Sequence, residues 1–151
     1  MRLVQVLNTT RGTVVGARVE LADAWWRRLR GLYGRPPLVP GEGLLCLPCS
    51  RVHARGTRRP LDVALLAPDG EVVTLYPFLQ PGGWTARHTR AHCALLLPAG
   101  MLRGSRTTEG DHLAWSEWAV GLDRIAAVPH RQVHVRRLAY GTGRALVGVA
   151  G

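Results

Sequence analysis

Between Cys46 and Asp62 the sequence gathers two thiols, an imidazole, four guanidinium groups and a carboxylate within seventeen residues. Three kinds of chemistry could use them. Cys49 as nucleophile, His53 as base and Asp62 as the group orienting that base would make a hydrolase or transferase set, compressed into fourteen residues. A loop turning back on its own strand would be needed to close it. Cys46-Leu47-Pro48-Cys49 has the two-residue spacing with which one turn delivers two thiolates to a tetrahedral metal, and His92-Cys93 would complete the ligands. No second Cys pair supports that reading, so two separately buried thiols explain the pair more simply. A redox role would want the first Cys at a helix N-terminus, whereas residues 40–45 read as loop and strand. Finally, Arg51, Arg55, Arg58 and Arg59 with His53 could hold an anion, because guanidinium forks match carboxylate and phosphate and Gly56 lets the backbone come close. The bland counterpart is a solvated Arg-rich loop.

Outside this stretch, Trp84 sits in a Gly-flanked loop and is the tryptophan best placed to stack on a ligand, while Trp25 or Trp26 belongs to the core. The pairs His88/His92 and His130/His134 have helical spacing but non-helical surroundings. On a strand such residues share a face about 13 Å apart, too far for one metal.

Composition bounds the answer. The 151 residues fit one domain with a real core, and 46% hydrophobic residues exclude wholesale disorder. A net charge of +10 invites an anionic partner. Yet all twenty basic residues are Arg and they are scattered, as a GC-rich coding sequence produces; this argues against nucleic acid as the partner. Three Cys cannot form a complete intramolecular disulfide set, which favours a reducing compartment. The first eight residues hold no signal-peptide core, and no run approaches a membrane span. A cytoplasmic protein is expected, with oligomeric state left open.

The elements that must position the candidate residues are mostly strands. Residues 2 to 7 and 12 to 21 read as a hairpin. Asp23 caps a helix near residues 23 to 33, with Trp25, Leu29 and Leu32 on one face, ended by Gly34 and Pro36-Pro37. Leu44 to Leu47 is a short apolar segment. Leu61 to Ala67 and Glu71 to Tyr76 form a hairpin about Pro68-Asp69-Gly70. Gln80 to Thr89 is loop, Ala91 to Leu97 a buried strand, Gly100 to Glu109 a loop or helical turn, and Gly110 to Trp115 another strand. Beyond Ser116 the signals weaken: strands around Val133 and Val135 and at Ala145 to Val149, or a mobile tail. The expected division is a β-rich domain over 1–115 and a C-terminal extension over 116–151.

One family matches this order of residues. Asn8-Thr9-Thr10-Arg11-Gly12-Thr13, Val19-Glu20-Leu21-Ala22-Asp23 with Trp26, Arg30-Gly31-Leu32 with Gly34, and Gly41-Glu42-Gly43-Leu44-Leu45 resemble domain of unknown function 192 of bacteria and archaea. Pro48-Cys49, Val52-His53, Gly56, Pro60-Leu61-Asp62-Val63, Asp69-Gly70, Pro98-Ala99-Gly100 and Gly110-Asp111 continue the resemblance over roughly residues 3 to 113. It implies a mainly β (α+β), compact barrel-like or sandwich-like domain with one short helix packed on it, and it implies no reaction. Where the family carries an aromatic, a Met and a second aromatic after the His, this chain has Ala54-Arg55-Gly56-Thr57-Arg58-Arg59-Pro60, a cationic replacement for an apolar insert. The expected function is therefore an accessory or binding domain that takes a small anionic ligand or a peptide on the His53 to Asp62 loop. His53, Arg55, Arg58, Asp62 and Trp84 are the contacts, and no cofactor is called for.

Overall fold

The computed structural model describes residues 2–22, 36–117, 132–136 and 146–150. The helix expected at 23–33, with Trp25 and Trp26, lies outside them, as does most of the segment beyond Glu117. The strands are β1 (Arg2–Asn8), β2 (Thr13–Ala22), β3 (Glu42–Cys46), β4 (Leu61–Leu66), β5 (Val72–Leu79), β6 (Cys93–Pro98) and β7 (Leu113–Glu117). They form one sheet in the order β5-β4-β6-β3-β2-β1-β7. This mainly β sheet curls into a half-barrel. A one-turn helix, α1 (Met101–Gly104), follows β6, where the sequence allowed a helical turn. Farther along, β8 (Gln132–Arg136) and β9 (Leu146–Ala150) pair antiparallel as a separate two-stranded sheet.

Side-chain alternation along the strands creates two cores. Val4, Val15, Leu45, Ala64, Val72, Leu95 and Trp115, one from each of β1 to β7, meet in the first cluster. A face that draws on all seven strands is the inside of the curl, and Leu102 of α1 closes onto it. The second cluster lies on the other face of the central strands, where Leu44, Leu61, Val63, Leu65, Ala94 and Leu96 are covered by Val52, Ala91, Leu38 and Cys49. Hence β4 reads as an unbroken buried run, Leu61 to Leu66, with no polar face to alternate with its apolar one.

The β4–β5 turn is the predicted one. The Gly70 amide donates to the Ala67 carbonyl, the Ala67 amide to Glu71, and Gly70 adopts φ 87°, where glycine carries no Cβ penalty.

A buried polar knot ties the N-terminal hairpin to the segment before β7. Asn8 Nδ2, fully buried, donates to Thr107 Oγ1 and to Asp111 Oδ2. Arg11 Nε and the Thr108 amide donate to the same Asp111 oxygen. Burial pushes the Asp111 carboxyl up; the hydrogen bonds from Asn8, the Thr108 amide and Arg11, with the Arg11 charge, outweigh it and hold the group below its ordinary 3.8.

Candidate functional site

The Cys46 to Asp62 stretch leaves β3, crosses the outer face of the sheet and enters β4. It does not cross alone. The Ala54 amide donates to the Gly83 carbonyl and the Gly82 amide to Ala54. The Thr85 amide donates to Val52, whose own amide donates to Thr85 Oγ1. The His88 amide reaches Ser50 and the Cys49 amide reaches His92. Residues 49–54 and 82–92 thus form an antiparallel ribbon in which buried Val52 and Ala54 face the sheet, so the residues between them must face out.

This alternation positions the aromatic part of the site. His53 and Trp84 are directly bridged, and their rings stack with centroids 3.6 Å apart. The Arg51 guanidinium carbon lies 5.4 Å from the Trp84 ring centroid, within cation–π range. Trp84 remains 59% exposed, so the stack leaves most of its surface for a further partner. Beyond Ala54 the chain turns at Gly56, at φ 77°, with Thr57 Oγ1 donating to the Ala54 carbonyl.

That turn delivers Arg58 and Arg59 to a cleft of about 280 Å³. Three stretches of chain line it: Pro36, Pro37, Leu38 and Pro40; Thr57, Arg58, Arg59, Pro60 and Leu61; and Pro98 with Ala99. Apolar, conformationally stiff residues thus share the lining with two cations. Arg55, exposed, does not line it.

Asp62 stands apart from this loop. On β4 the neighbours Leu61 and Val63 point to the outer core with Val52, while Ala64, two residues on, points into the curl. Asp62 shares the face of Ala64, so the sheet separates its carboxylate from the His53 loop. Oδ1 accepts the Phe78 amide and Oδ2 the amides of Gly100 and Leu102, each at 3.0 Å. At 1% exposure the group has no surface for a ligand and cannot orient His53; it anchors α1 and the β5 bulge at Phe78, φ 55°. Cys49 Sγ donates to the Arg51 carbonyl at 3.0 Å. Cys49, His53 and Asp62 are therefore not assembled into one set.

The Cys46, Cys49, His92 and Cys93 segments do approach one another, since Cys46 registers with Ala94 and Cys49 bonds to His92 through the backbone. Among the described residues, no three of that quartet come within 4.8 Å of one another. Cys46 and Cys93 are buried in opposite cores. His88 bonds through Nε2 to Tyr76 Oη at 2.8 Å. His130 lies outside the described residues.

A half-barrel with a hydrogen-bonded loop ribbon on its outer face and an Arg-rimmed cleft defines a β-domain in which Cys49, His53 and Asp62 stay apart. The model of the family DUF192, described as "Uncharacterized ACR", matches residues 6–115, and the chain belongs to that family. The fold is similar to that of a protein of unknown function from Novosphingobium aromaticivorans DSM 12444, with 26% identity and a TM-score of 0.63, covering 75% of this chain and 84% of that one. It is also similar to a protein from Sinorhizobium meliloti 1021 described as "a putative transcription regulator", with 26% identity and a TM-score of 0.62, covering 77% and 92%. No curated protein matches the chain.

Proposed function

We propose that this chain is a binding domain, not an enzyme, and that it takes a small organic anion in the cleft between Pro36–Pro40 and Thr57–Pro60. The observation that supports this is the pairing of two guanidinium side chains with a wall of prolines and a leucine around about 280 Å³. Such a lining suits a carboxylate carried on an apolar body: the walls desolvate the body while Arg58 and Arg59 satisfy the charge. His53, Trp84 and Arg55 on the same loop ribbon offer a flat aromatic surface and a third cation to a longer ligand, such as a peptide.

The test is calorimetric titration with straight-chain monocarboxylates from butyrate to octanoate, and with the alcohols of equal length. Binding of the acids but not the alcohols is expected, and it should weaken about 10- to 100-fold in an Arg58→Ala/Arg59→Ala double variant, the equivalent of one charge-assisted hydrogen bond. Equal affinity in wild type and double variant, or no binding of any acid, would overturn the reading.

A further inference from the structure

The end of the molecule opposite the cleft has a different chemistry. Strand β4 enters beside Arg58 and Arg59 and leaves, about 20 Å farther on by the strand rise, at the turn carrying Asp69 and Glu71. Although the chain has net charge +10, four of its ten carboxylates, Asp69, Glu71, Glu109 and Asp111, collect around this turn and the segment bonded to it. Here also is His112, from a part of the chain forty residues away.

We propose that Asp69, Glu71 and His112 form a site for a divalent cation of the Mn²⁺ or Fe²⁺ type. One donor atom from each residue lies within 4.8 Å of the other two. Metal bonds of about 2.1 Å set ligand atoms about 3 Å apart when adjacent and about 4.2 Å when opposite, so small rotations of these side chains complete the site. His112 Nε2 and Asp69 Oδ2 are already 3.5 Å apart.

The backbone holds the three in place independently of their side-chain contacts. Glu71 and His112 face each other in a β-bridge. The Leu113 amide donates to Gly70 and the Val72 amide to Asp111, one on each side of that bridge. Asp69 Oδ1 accepts the Glu71 amide, which fixes the carboxylate on the turn with its Oδ2 3.5 Å from His112 Nε2. Two carboxylates and one imidazole match the preference of manganese and iron for oxygen with nitrogen. Asp69 and His112 are exposed, which leaves coordination positions for water. Arg90 reaches Glu71 at 3.5 Å while itself two-thirds exposed, and its guanidinium is the group a cation would displace.

Mn²⁺ is the probe of choice, because the thiols of Cys46, Cys49 and Cys93 would compete for softer ions. The amplitude of the aqueous Mn²⁺ electron paramagnetic resonance signal reports free ion during titration of the full chain. One equivalent should bind, and His112→Ala and Asp69→Asn should each weaken binding at least tenfold, about the effect of losing a ligand or its support. Asp69→Asn keeps an oxygen for the Glu71 amide, so an unchanged melting temperature in that variant separates loss of a ligand from loss of fold. No uptake at about 1 mM, the weak end of protein cation sites, or uptake that survives both substitutions, would overturn the assignment.

Discussion

Asp62 gives the sharpest test of how this fold is held. Asp62→Ala removes the acceptor for three backbone amides, Phe78, Gly100 and Leu102, from a position 1% exposed where no water replaces it. A hydrogen bond to a charged group contributes about 1.5–3 kcal/mol, and stranding a buried donor costs a similar amount. The three are not additive, because Gly100 and Leu102 share Oδ2, so a total of about 4 kcal/mol is expected. That is a large part of the roughly 5–15 kcal/mol by which domains are stable. With a urea m-value of about 2 kcal/mol/M, the unfolding midpoint should fall by about 2 M. Asp62→Asn keeps one oxygen but turns an NH₂ toward either Phe78 or the Gly100/Leu102 pair, so about half that loss is expected. Hydrogen exchange should show the Leu102 amide of α1 and the Phe78 amide of β5 deprotected before the amides of β4. A midpoint shift below about 0.5 M for Asp62→Ala would refute the anchoring role and return Asp62 to the list of ligand or catalytic groups.

Two further expectations concern the same scaffold. Since folding holds Asp111 below its ordinary 3.8, its contribution to stability is fully present above that value and fades as the pH falls through the lower folded-state value. The melting-temperature gap between wild type and Asp111→Asn should be flat above about pH 5 and shrink below about pH 4; a gap that widens on acidification would contradict the knot. Gly43→Ala would put a Cβ 2.9 Å from both the Leu96 carbonyl oxygen and Leu97 Cδ2, so chemical denaturation should show a loss of about 1–3 kcal/mol, whereas a neutral effect would mean that β3 and β6 can separate freely.

Much of the sheet was legible because its punctuation is local. Pro68-Asp69-Gly70 predicts the β4–β5 hairpin from turn chemistry alone, and the β-formers Val14, Val15, Val19 and Leu21, bounded by turn residues, predict that of β1 and β2. The site was less legible. The sequence places Asp62 nine residues from His53 and invites a catalytic pairing, but a strand of period two turns neighbours to opposite faces, and β4 is buried on both, so hydropathy alone could not say which side Asp62 takes. The partnership of His53 with Trp84 depends on two loops zipping together, information carried by backbone amides and invisible in residue types. The same holds for His112. In the sequence Asp69 belongs to a turn and Glu71 to the start of a strand, and nothing near His112 in the chain marks it as their neighbour. Conversely, the local cluster of Arg51, Arg55, Arg58 and Arg59 draws attention to the arginines that line the cleft, whereas Pro36-Pro37 signals only a helix stop.

The place of β1 in the sheet constrains how the protein is made. Its partners are β2, from the next few residues, and β7, from more than a hundred residues later. During synthesis the β1–β2 hairpin leaves the ribosome early, but the outer edge of β1 stays open until residue 117 has emerged, and buried Asn8 has no Asp111 to bond to before then. At about 5–20 residues per second that interval lasts on the order of 5–20 s. Through it the chain carries an unpaired, half-apolar strand edge, the kind of surface on which nascent chains pair with one another. A chain cut short before β7 would keep that edge permanently, so C-terminal truncations ending before Leu113 should yield aggregates, not smaller soluble domains.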